Sequence, residues 1–362
     1  MAVSRINEAG LNVNQYGNRN IIINGAMRVA QRATSSTGVG GSSGYFTCDR
    51  WKITTDATAG RVTMTQESDG PDGFANSIKL ATTTADTSIA AGELFILGQS
   101  IEAQDLQQLK KGTSAAESVT VSFYVKANAS ATYVAELFDH DNSRNNTRAF
   151  TVGTDWSRVE LTFAADTTGA LGDDNAAGMT FQIWLHAGST YSGGTFSDNT
   201  WQSVTAANRY AGSRTSIFDS TSRTLFITGV QFEVGDTATD FEHRTFGDEL
   251  ARCERYFFKT YEYATSPGTA SSLASSLGRY LDATQNYASV PLPTLNLRAT
   301  PTTTIYNPND GTVGEIRSDS TDHPAVGHSS IGQRGGAFIY ANNSSITVST
   351  SSRAHITFDA EL

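Results

Sequence analysis

The six histidines of the chain are the first place to look for chemistry. His140, His186, His243, His323, His328 and His355 include no HxH or HxxxH pair, the spacings that aim two rings from one strand or helix at one ion. His323 and His328 stand five apart in a loop containing Gly, Ser and Pro, which reads as solvated. Asp139, Asp141 and Ser143 fall at offsets 1, 3 and 5 of a calcium loop. Arg144 then stands where the sharp turn needs Gly, and Phe150 where a bidentate Glu belongs, so these residues read as a solvated hairpin tip. The turn Asp173-Asp174-Asn175 reads the same way. No metal is expected.

Covalent chemistry fares no better. The sequence contains no GxSxG, no Cys beside a His and no phosphate-binding glycine loop. Cys48 and Cys253 match no metal spacing and no disulfide framework, and read as packed thiols. Glycoside hydrolysis needs only two carboxylates roughly 5–10 Å apart, which a sequence can hide. The acidic residues here fall mostly in turns or near predicted helix starts. No catalytic residue and no cofactor is assigned.

Aromatic rings remain, because a flat ring face binds the C–H surface of a pyranose sugar. Of the four tryptophans, Trp156 opens a strand after a Gly-Thr-Asp turn and Trp184 lies in the alternating run MTFQIWL. Both read as core or rim packing. Tyr191, Phe196 and Trp201 sit in a Gly/Ser-rich loop, where burial explains an aromatic less well. These three are the candidate glycan contacts.

The elements that must position such residues read as β almost throughout. Residues 119–125 (VTVSFYV), 133–138, 158–163, 179–185 and 224–232 alternate apolar and polar side chains. Strong turn signals at 139–146, 172–178 and 192–199 separate them. The fold class is therefore all-β: a jelly-roll β-sandwich with a smaller C-terminal β-sandwich domain and an extended N-terminal arm. Two short helices interrupt it, at 101–109 and 248–258, the second with Leu250, Cys253 and Phe257 on one face. A Ser/Ala/Gly/Thr-rich stretch at 262–278 marks a domain connection. The boundaries expected are 1–20 for the arm, 21–260 for the jelly roll and 261–362 for the C-terminal domain, with strands at 287–292, 302–306, 336–341, 345–348 and 355–362.

Composition narrows the partners. A net charge of −10 and only 17% charged residues argue against a phosphate-backbone binder. No run is apolar and long enough to be a transmembrane helix, and the first 20 residues are too polar for a secretion signal. Assembly in a cytoplasm is the expectation.

Several stretches together resemble bacteriophage tail-fibre-like virion proteins. Residues 20–32 (NIIINGAMRVAQR) and 45–51 (YFTCDRW) are similar to the opening of that family. The passage from Ser100 through Val125 is similar to its helix-then-strand segment, with Tyr124 where the family has Trp. Residues 227–258 (ITGVQFEVGDTATDFEHRTFGDELARCERYFF) resemble its signature almost position by position, and FDAEL resembles its close. The resemblance covers residues 18–260 well and the rest loosely.

It implies a carbohydrate-binding-module-like jelly roll in a non-enzymatic virion protein that usually trimerises. Such a protein, here a short fibre or tail fibre, would bind host-surface glycan without catalysis and contact other virion proteins. A capsid decoration or head-fibre protein that clamps virion subunits is the alternative, and a polysaccharide depolymerase the weaker third reading. Within the signature, Gln231, Glu233, Glu242 and Arg244 read as a structural polar set, and Trp51 as core with Asp49 and Arg50 fixing its turn. Asn20, Ile21, Ile22 and Ile23 are candidates for virion anchoring or contact between copies; the isoleucines read equally well as the first core strand.

Overall fold

A computed structural model of the protein describes residues 18–280, 286–288, 296–324, 327–329, 332–334, 338–340 and 351–362. The expected arm lies almost wholly outside the described residues, as does the strand expected at 345–348. The chain divides into two compact units: residues 1–30 with 34–245, and residues 31–33 with 246–362. The division falls at Thr245/Phe246, ahead of the second helix, which clusters with the C-terminal unit.

The first unit is a sandwich of two antiparallel sheets. One has six strands in the order β1 (Ser35–Val39), β4 (Arg61–Glu67), β5 (Ser77–Thr84), β13 (Thr224–Val234), β7 (Val119–Ala127), β10 (Ser157–Phe163). The other has seven, in the order β12 (Gln202–Ser203), β9 (Arg144–Val152), β8 (Ala131–Asp139), β11 (Ala177–Ala187), β6 (Leu94–Glu102), β3 (Lys52–Asp56), β2 (Gly44–Tyr45). Neighbours in these orders are mostly distant in sequence, as in a jelly roll. All five strands expected in this unit are present, and the alternation that predicted them does the packing. Val119, Val121, Phe123 and Val125 of β7 point into one core with Phe181 and Ile183 of β11. Trp51 is fully buried there, donating its indole N–H to Asn24 O at 3.1 Å.

The helix expected at 101–109 is instead the end of β6 followed by a 3-10 helix, Ala103–Leu109. Leu106 and Leu109 still face inward, and Lys110 ends the turn in the left-handed region at φ 49°. The hairpin tip at Asp139 is also different from expectation. Asp139 is fully buried, 2.5 Å from Lys111 Nζ, which reaches Asp166 on its other side at 3.0 Å. Arg144 completes the set at 2.8 Å from Asp166.

Residues 20–24 form no strand, and 22–24 run as bends. Ile22 is in the core, and Asn20 is 2% exposed, its side chain bonded to Val230 O and Phe232 N. Asn20 and Ile22 thus have no surface to offer a partner, and Ile21 and Ile23 are half-buried. The signature residues explain this seating. Gln231 bonds to Glu233 and to Glu242 N–H, Glu242 accepts from Asn20 N–H at 2.8 Å, and Arg244 donates to the carbonyls of Asn20 and Ile22. Gly229 sits at the β13 bulge with φ +61°, where a Cβ would strike the ring of Phe74 at 2.8 Å.

The second unit is built on its last strand. β22 (Ser351–Asp359) pairs with β14 (Phe257–Lys259), β15 (Ser276–Tyr280), β17 (Thr302–Tyr306) and β18 (Glu315–Ser318). β16 (Asn286–Ala288) and β19 (Thr321–Pro324) extend this sheet, and β20 (Gly327–Ser329) pairs with β21 (Phe338–Tyr340). An α-helix, Phe246–Glu254, buries Cys253, whereas Phe257 belongs to β14. Arg32 holds the chain's closing acids, Asp359 at 3.0 Å and Glu361 at 3.4 Å.

Candidate functional site: a cleft on the seven-stranded sheet

Three cross-strand rows build one outer face. Register places Lys52, Gly98, Gln182 and Glu136 side by side across β3, β6, β11 and β8. The adjacent rows run Thr54–Ile96–Trp184–Val134 and Ser100–Thr180–Phe138. Because side chains alternate along a strand, all of these point away from the core. All but Val134 and Glu136 floor a cleft of about 250 Å³, just below the roughly 300–1,000 Å³ of drug-sized sites. Tyr191 and Arg209, from the connection between β11 and β13, form its wall.

The floor rests on one buried carboxylate. Glu136 is fully buried and accepts a bidentate pair from Arg209 at 2.9 and 2.8 Å. It also accepts from Trp184 Nε1 at 2.6 Å, Asn145 Nδ2 at 2.6 Å and the Gln182 amide. Four donor side chains thus compensate a charge that burial alone would make costly. Arg209 in turn lies over two rings, 4.6 Å from the centroid of Trp184 and 4.9 Å from that of Phe138.

Tyr191 is held by backbone as well as by rings. It lies in a short helix, Ser189–Ser192, opened by Gly188. Its carbonyl accepts from Tyr210 N–H at 2.8 Å, and its ring packs on Trp184 with centroids 5.3 Å apart. Trp184 itself is fully covered, so the ring faces available to a ligand are those of half-buried Tyr191 and Phe138. Around them stand hydroxyls and amides: Thr54, Ser100, Thr180 and Gln182. His140 bonds through Nε2 to Thr180 Oγ1 at 2.7 Å, fixing the rim.

The three sequence candidates separate. Tyr191 lines the cleft. Phe196 packs behind it against the Trp184 cluster, with Arg214 over its ring at 4.4 Å. Trp201 does not line the cleft; it packs on the main core, donates to Ala164 O at 2.7 Å and borders a small hollow with Lys111 and Asp166. Its one polar atom is satisfied, and Lys111 of the buried ion cluster lies 5.3 Å from its ring centroid. Residues missed by sequence reasoning are Phe138, Gln182, Arg209 and Glu136. The signal for Gln182 was present: in MTFQIWL the face Thr180, Gln182, Trp184 opposes Met179, Phe181, Ile183, and that second face is the core.

No family model matches the chain, and no curated protein matches it. Among solved structures it is similar to a family 4 carbohydrate-binding module (13% identity, 51% of this chain and 86% of that one, TM-score 0.28). It is also similar to the family 11 module from Clostridium thermocellum, solved with a β-1,3-1,4-mixed-linked tetrasaccharide (9% identity, 58% and 99%, TM-score 0.27). A third similarity is to the enzymatically active domain of bacteriophage CBA120 tailspike protein 4 (13% identity, 59% and 21%, TM-score 0.28). At such scores the likeness says nothing about what this chain binds; the cleft's own residues must carry that.

Proposed function

We propose that the protein is a non-enzymatic glycan-binding component of a bacteriophage virion, a trimeric short fibre or tail fibre that engages host-surface polysaccharide through the cleft on its seven-stranded sheet. The observation that carries the glycan reading is the pairing of two stackable rings, Tyr191 and Phe138, with a ring of hydroxyl and amide groups. A sugar presents apolar C–H faces and hydroxyl edges, and this surface matches both. The virion and trimer readings rest on the resemblance carried by residues 20–51 and 227–258.

The carboxylates support binding without turnover. Hydrolysis of a glycosidic bond needs an acid and a second carboxylate free to act. Among the described residues no Asp or Glu lines the cleft, and Glu136 beneath it is saturated by its four donor partners. The test is affinity electrophoresis of the full chain through gels containing bacterial surface polysaccharides, run beside a reducing-end assay. Retardation by at least one polysaccharide with no release of reducing ends is expected. Steady release of reducing ends, or no retardation by any acidic or neutral polymer, contradicts the reading.

A further inference from the structure

Away from the cleft, three buried titratable groups converge where the chain crosses between the sheets of the first unit. Asp86 lies two residues past the end of β5, Glu93 directly precedes β6, and His186 stands near the end of β11. Their exposures are 5%, 4% and 0%, and one potential ligand atom from each lies within 4.8 Å of the others. We infer that Asp86, Glu93 and His186 form a binding site for a divalent transition-metal ion of the zinc type, which ties the β5–β6 crossover to β11.

Each group is already aimed by an outer contact, as metal ligands are. His186 Nδ1 is 2.8 Å from Ser216 Oγ; with Nδ1–H donating there, Nε2 carries the lone pair and faces Glu93 Oε2 at 3.0 Å. Glu93 Oε1 accepts from Ala90 N–H at 2.8 Å, leaving Oε2 for the centre. Asp86 Oδ2 accepts from Thr58 Oγ1 and Ala59 N–H, each at 2.8 Å, and the Asp86 carboxyl meets that of Glu93, a contact that a metal ion would replace. The Phe218 ring packs edge-on to the imidazole at 5.2 Å and keeps the surroundings apolar.

Charge supplies the reason for an ion. Among the described residues no lysine or arginine pairs with Asp86 or Glu93, so two buried carboxylates face a single imidazole. A buried carboxylate without a counter-charge is costly, and a divalent cation satisfies both at once. One imidazole with two carboxylates suits zinc, whereas calcium prefers six to eight oxygens. Zinc–nitrogen and zinc–oxygen bonds of about 2.0–2.2 Å are reached from the present spacing by small side-chain shifts.

The experiment uses the full chain, stripped with a chelator and titrated calorimetrically with Zn²⁺, and separately with Co²⁺ followed by its visible d–d absorption. One equivalent of Zn²⁺ should bind, displace Co²⁺ and raise the unfolding midpoint, while Ca²⁺ and Mg²⁺ at equal concentration leave it unchanged. Glu93→Gln should weaken Zn²⁺ binding more than tenfold, and the outer-contact variant Ser216→Ala about 10–100-fold. Absence of stoichiometric Zn²⁺ binding by the wild type overturns the site. So does full affinity in both variants, which would place the ion on surface groups. If Glu93→Gln does not fold, Ser216→Ala and the wild-type Co²⁺ spectrum decide alone. No glycan enters the titration, so its outcome is independent of the cleft.

Discussion

Among single residues, the cleft is organised by one buried charge, Glu136, that four neighbouring side chains answer. Arg209 is the partner of Glu136 that carries the opposite charge, and its removal would leave a carboxylate with a side chain 0% exposed beside three neutral donors. Breaking a buried pair from one side costs about 3–5 kcal/mol. Arg209→Ala should therefore lower the first unit's unfolding midpoint by about 6–20 °C, at about 2–4 °C per kcal/mol for a unit of this size. Asn145, Gln182 and Trp184 hold the fall near the lower end. Differential scanning calorimetry reads it, and Arg209→Lys, which keeps charge and loses the fork, should fall less.

His355 gives the pH counterpart in the second unit. It is buried, stacked on Tyr261 at 3.7 Å, with Nε2–H donating to Ser271 O at 2.8 Å. Burial holds its pKa below the ordinary 6.5. The unfolded chain then takes up a proton that the folded one refuses, so stability is fully present above about pH 6.5 and declines as pH falls from there towards the folded pKa. Thermal unfolding between pH 7.5 and 5.5 should show this decline, and His355→Gln should flatten it. A slope unchanged by the substitution would remove His355 as its source.

Elements translate these residues into a site. Tyr191 stands where it does because Gly188 lets the chain turn against the β5–β6 crossover: a Cβ there would lie 1.9 Å from Ala90 O. Gly188 N–H and Thr190 N–H donate to the carbonyls of Glu93 and Ala91. Gly188→Ala must push the Ser189–Ser192 helix outward, carrying Tyr191 off Trp184. The expected result is at least a tenfold loss of polysaccharide affinity in surface plasmon resonance, with far-ultraviolet circular dichroism preserved. Unchanged affinity would mean that Tyr191's position does not matter.

What the sequence shows of these elements follows from their burial. β7, β10, β11 and β13 alternate strongly because one face packs a core, so their runs stand out. β3, β4 and β5 are rich in Thr, with half-exposed faces, and none of the expected strands falls on them. β6 was hidden for the opposite reason, since LFILGQSIE is buried on both faces. The cleft needs β3, β6, β8 and β11 in register, and contacts so distant in sequence leave no local trace. Tyr191 was legible as an aromatic lacking a packing reason, whereas Trp201, chosen by the same logic, finds its reason in a contact with Ala164 that only the fold supplies.

For the whole molecule, two units share one chain, each with its own sheets. The proposed trimer is a property of the whole chain. Multi-angle light scattering at micromolar concentration should give three times 38.7 kDa, and a mass near 38.7 kDa would contradict it.

Glycan binding by the cleft can be read in a single set of titrations. Calorimetric titration of a retained polysaccharide into wild type, Tyr191→Ala and Trp201→Ala tests it most directly. If the cleft is the site, Tyr191→Ala binds at least about tenfold more weakly, a loss of about 1.4 kcal/mol, while folded Trp201→Ala binds as the wild type does. Wild-type affinity in Tyr191→Ala, with loss in a folded Trp201→Ala, would contradict it.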